Sequence, residues 1–62
     1  MLYVVEVVSL SRIVTRVLRT TDYEFALSVF DRRKKLKVRE VRMVRVENGQ
    51  RAVLKYVDRS RK

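Results

Sequence analysis

The side chains of this 62-residue chain that could do chemistry are nearly all cations. Sixteen Lys and Arg stand against seven Asp and Glu, for a formal net charge of +9 and a pI near 10.9. The densest group is Arg32-Arg33-Lys34-Lys35, followed closely by Lys37 and Arg39. A guanidinium presents a planar fork of donors that matches a phosphate, and an ammonium adds a mobile point charge. Capping a helix C-terminus and balancing its dipole needs only one or two bases. Four in succession are a surplus, and a surplus at one place suits a phosphate clamp. A domain of this charge would gather on DNA or RNA through counterion release, with or without sequence reading. An Arg-rich surface that serves solubility alone is the plainer explanation of the same numbers.

Other chemistries are poorly supplied. The chain has no His and no Cys, so it lacks an imidazole base, a thiolate nucleophile and the usual zinc or iron–sulfur ligands. Its single Gly cannot build a glycine-rich phosphate loop. Ser9, Ser11, Ser28 and Ser60 have no His partner. The seven carboxylates form no pair suited to metal binding or to general acid–base work. These absences predict a protein that is not an enzyme, with no cofactor, no metal and no evident small-molecule substrate. No disulfide framework is possible. The apolar start, Leu2 to Val8, is interrupted by Glu6, has no basic flank and is far too short to span a bilayer. A cytoplasmic location without a membrane partner is expected.

The elements that must hold these groups can be read in part. A helix is expected over about 22–35. Thr21-Asp22-Tyr23-Glu24 fits a capping box with Thr21 as cap. Glu24, Ser28, Asp31, Arg32 and Lys35 share a polar face, and Tyr23, Phe25, Ala26, Leu27, Val29, Phe30 and Leu36 cover a wide apolar arc. Asn48-Gly49 between two alternating segments predicts a two-residue hairpin. Its register would set Met43 against Leu54 and Val41 against Tyr56, with Ala52 on the same face, under the helix. The opposite face would pair Val46 with Arg51, Val44 with Val53, Arg42 with Lys55, Glu40 with Val57 and Val38 with Arg59. Leu2 to Val8 reads as a buried strand. Residues 12–19 fit a helix or a strand. The run Ile13-Val14-Thr15 favours a strand that returns through a turn at 9–12 and sets Glu6 opposite Thr15. The sum is an α+β fold, β-β-α-β-β: a mostly antiparallel four-stranded sheet with one helix on one face. Residues 1–58 make a single domain and 59–62 a flexible basic tail.

One helix covers one side of such a sheet. The far side would expose Val44, Val46, Val53 and Val57 and an apolar face of the first hairpin, and a homodimer would bury them. On that side Arg42 would face Lys55 directly, with Arg51 and Arg59 nearby. Like charges in cross-strand contact repel, which an anionic partner would relieve. Arg12, Arg16 and Arg19 could extend the positive surface. Tyr3, Tyr23, Phe25, Phe30 and Tyr56 are assigned to the core, which leaves no stacking platform for single strands. The expected function is nucleic-acid binding, DNA ahead of RNA, with a regulatory role as one option. Arg32, Arg33, Lys34, Lys35, Arg42, Arg51, Lys55 and Arg59 would hold the phosphate backbone. The alternative is a protein-interaction module, a small inhibitor or adaptor, that takes an acidic partner by β-augmentation.

Overall fold

The computed structural model describes residues 1–58, so Arg59 and the rest of the tail lie outside the described residues. β-branched residues dominate the first segment, and it forms β1 (Leu2–Val8). The next segment is a strand as well, β2 (Val14–Thr20). The turn between them closes with Ser9 N–H donating to the Ile13 carbonyl at 3.0 Å and Arg12 N–H to that of Ser9 at 2.9 Å. Arg12 takes a left-handed φ of 69° there, uncommon for a residue with a side chain. The helix α1 (Tyr23–Arg33) follows, then β3 (Glu40–Glu47) and β4 (Gln50–Asp58). Asn48 and Gly49 both have positive φ, 54° and 77°, as a type I′ turn requires. The four strands form one open antiparallel sheet in the order β2-β1-β3-β4, an α+β fold. No helix among the described residues is long and apolar enough to cross a membrane.

The helix boundaries are narrower than its pattern suggests. The cap is Asp22, not Thr21: its Oδ1 accepts from Phe25 N–H at 3.1 Å. Asp is at least as good a cap acceptor as Thr, and Thr20 Oγ1 accepts the Asp22 N–H at 3.1 Å. The helix ends at Arg33. Lys34 N–H still reaches the Phe30 carbonyl at 2.9 Å, and the chain then turns. Val5, Val7, Ala26, Phe30, Val41 and Met43 form the core between helix and sheet. Tyr3 meets Tyr23 edge to face with ring centroids 5.4 Å apart, pinning the helix start over the start of β1.

Two bulges correct the expected register. Between β1 and β2 the extra residue is Val17, so Leu18 faces Val5 while Arg16, rather than Thr15, faces Glu6. In the second hairpin the pairs next to the turn stand as expected: Val46 with Arg51 and Val44 with Val53. Leu54 is then passed over. Met43 faces Lys55, Arg42 faces Tyr56, Val41 faces Val57 and Glu40 faces Asp58. One extra residue moves every later side chain to the other side of the sheet. Val57 therefore packs toward the helix, Tyr56 turns to the open face, and the Arg42–Lys55 pair is not formed.

The helix lies over β1, β2 and β3 and does not extend over β4 among the described residues. That placement overturns the assignment of all aromatics to the core. Phe30 is buried and Tyr3 half-buried, but Tyr23, Phe25 and Tyr56 are exposed. Leu54, expected under the helix, is exposed too. The open face also differs from expectation. Val4, Val8 and Val44 are buried there without any helix above them, Val44 at 0% exposure.

Candidate nucleic-acid interface

An antiparallel chain course sorts charge by end. β1 and α1 run toward one end of the sheet, where the β1–β2 turn and the segment before β3 also lie. Arg39 N–H donates to the Val8 carbonyl at 2.9 Å and ties that segment to the end of β1. Residues 31–39 carry six bases and one acid, so this end is strongly positive on the helix side. Arg32, Arg33, Lys35 and Lys37 are exposed, as is Arg12 in the turn. Among the described residues none of these five makes an ion pair. Lys34 differs: its Nζ lies 3.1 Å from Asp31 Oδ1, one helical turn back. Asp22 and Glu24 at the helix start and Glu47 before the hairpin turn lie at the opposite end. Glu40 and Asp58 share the basic end, but on the open face of the sheet.

A second group of the expected site residues sits on that open face, bound to a buried acid. Glu6 projects from the middle of β1 and is 6% exposed. Its Oε1 accepts from Arg42 Nε at 3.0 Å and from Arg51 Nη2 at 2.9 Å. Arg42 Nη1 is also 3.9 Å from Glu40. Arg51 reaches Glu6 across β3, two strands away, about 10 Å at ordinary strand spacing. A buried carboxylate is tolerated only when paired and hydrogen-bonded, so these guanidiniums are committed to it. An open groove of about 410 Å³ remains between Arg16, Arg19 and Arg51, floored by Leu2, Val4 and Val46.

The expected site thus separates. Arg32, Arg33 and Lys35 come together at the helix end with Lys34 beside them. Arg42 and Arg51 belong to the Glu6 cluster. Lys55 stands apart on β4, on the helix side but beyond the reach of the helix. Glu6 was legible only as a lone acid in a strand of valines, which signals that a cation must come to it. Which cation was not legible, because both bulges change the facing. Tyr56 lies beside Arg42 on the open face, its hydroxyl donating to Asp58 Oδ2 at 3.3 Å. Partial desolvation and the neighbouring carboxylates of Glu40 and Asp58 hold its phenol above the ordinary tyrosine range.

No family model, no curated protein and no solved structure matches this chain.

Proposed function

We propose that the protein binds the phosphate backbone of nucleic acid, DNA ahead of RNA, through the basic end of the molecule. The observation that carries this reading is the contrast among its cations. Arg42 and Arg51 are held by a buried carboxylate, whereas Arg12, Arg32, Arg33, Lys35 and Lys37 are exposed with no ion pair among the described residues. Helix capping does not account for them, since the helix end is closed by backbone bonds from Lys34 and Leu36. Such side chains exchange condensed counterions for phosphates at little desolvation cost. The contacts position the protein on the backbone and carry no sequence information themselves. The role is binding without catalysis.

The test is fluorescence anisotropy with a random-sequence duplex across a salt series. Five phosphate contacts should weaken binding about 500-fold between 50 and 200 mM salt. The variant Arg32→Gln/Arg33→Gln/Lys35→Gln/Lys37→Gln should bind weakly and lose affinity only about 3-fold over the same range, since one contact remains. A shallow salt response of the unaltered protein would exclude the reading. A partner retained after nuclease treatment would favour an acidic protein as the ligand instead.

A further inference from the structure

The two edges of the sheet are built differently. β2 carries Arg16 and Arg19 on its open face and Thr15 and Thr20 on its helix-side face. Charged side chains on an edge strand oppose pairing with other chains. Among the described residues β4 is the longest strand and has no neighbour beyond it, and it holds Ala52-Val53-Leu54 and Tyr56-Val57 with one base between them. Val53, Leu54 and Tyr56 are all exposed, at 57%, 39% and 50%.

The backbone of β4 also has a defined outward set. The two-residue turn makes Glu47 and Gln50 the first hydrogen-bonded pair, and pairs then alternate along an antiparallel ladder. Arg51 and Val53 therefore turn their N–H and C=O groups away from β3. The bulge at Leu54 shifts the alternation, so Tyr56 and Asp58 are the next outward residues. The side chains of these four all lie on the open face.

We infer that β4 is the contact edge of a homodimer, pairing antiparallel with the β4 of a second copy about a two-fold axis between Leu54 and Lys55. In that register Arg51 faces Asp58 of the other copy, Val53 faces Tyr56, and Ala52 faces Val57, each pair twice. Every outward residue meets an outward residue, and every pair lies on one side of the sheet. The centre is apolar, with an aromatic against a β-branched neighbour. The Arg51 guanidinium stays with Glu6 across β3, so the Arg51–Asp58 pairs add backbone bonds at the two ends. The two bulges meet at the axis, where their distortions are related by symmetry. The result is one continuous eight-stranded sheet with both helices on the same side. Two-fold closure uses up both β4 edges and leaves only the charged β2 strands at the ends.

Sedimentation equilibrium on nuclease-treated protein tests the association, and Val53→Pro tests the edge. Val53 turns its N–H outward, so proline there leaves the β3–β4 ladder intact while blocking the new one. The unaltered protein should be dimeric and the folded variant monomeric, with a dissociation constant raised at least about tenfold, the equivalent of about 1.4 kcal/mol. A monomer at all concentrations, or a Val53→Pro variant that stays dimeric, overturns the inference. Should that variant lose its circular dichroism, Val53→Cys/Tyr56→Cys decides instead. The chain has no other thiol, and an opposed hydrogen-bonded pair, about 5.5 Å between Cα atoms, suits a disulfide. Mild oxidation should give a covalent dimer. No cross-link under conditions where the protein is folded overturns this register. Neither measurement depends on nucleic-acid binding.

Discussion

Both faces of the sheet bury valines, but only one of them lies under the helix. On one side Val5, Val7, Val41 and Met43 lie under Ala26 and Phe30, and the cover is hydrocarbon. On the other, Val4, Val8 and Val44 are buried with no helix above them, on the face where Glu6 holds two arginines. The helical roof is held by the non-directional hydrophobic effect and by close packing. The other face has directed bonds around Glu6 in place of a helix. The two guanidiniums that Glu6 holds differ in this from the exposed bases after the helix.

Substitutions on the two faces test this difference. Phe30→Ala removes the largest contact of the helical roof and should cost about 3–5 kcal/mol. A domain of this size has a total stability of about 3–9 kcal/mol, so urea denaturation should find the midpoint of this variant lowered by at least about a third. A loss near 1 kcal/mol would mean that the helix is not the main cover. Glu6→Ala leaves Arg42 and Arg51 without their shared acceptor, but both can turn to water. About 1–3 kcal/mol should be lost, and Glu6→Leu, which refills the volume with hydrocarbon, should lose less. Equal losses would assign the whole effect to the lost carboxylate bonds, and no loss in either variant would show that Glu6 does not anchor the two arginines. The smallest effect concerns Tyr56. Its native phenol titrates above the unfolded value, so the stability it adds is present below about pH 10 and fades as pH rises through the native value. Absorbance at 295 nm should show phenolate formation at higher pH in the native protein than in urea. Tyr56→Phe should reduce that difference; a difference unchanged by the substitution would overturn the assignment.

Local signals were legible because they act over a few residues. The valine run of β1, the Asn48-Gly49 turn and the acidic start and basic end of α1 each sit where the pattern places them. The preference for a strand over 12–19 also stands, as Val14–Thr20, since β-branched neighbours disfavour a helix. The two bulges were not legible. Val17 and Leu54 look like any other apolar strand residues, and nothing nearby marks them as unpaired. Passing them over changes the partner of Glu6 and the face of Tyr56, and it removes the repulsion expected between Arg42 and Lys55. Half of the candidate site was readable for the same reason. Arg32, Arg33 and Lys35 are neighbours in sequence and remain so in space, whereas Arg42 and Arg51 depend on what crosses the sheet to meet them.

Sequence alone settled the first strand, the helix, the antiparallel second hairpin and the concentration of bases after the helix, since all four follow from near-neighbour chemistry and chain direction. Only the tertiary structure decided which arginines Glu6 engages, which aromatics stay outside, and that the helix leaves β4 uncovered. Those outcomes depend on the facing of side chains several strands apart. Facing has a period of two, so a single inserted residue reverses it.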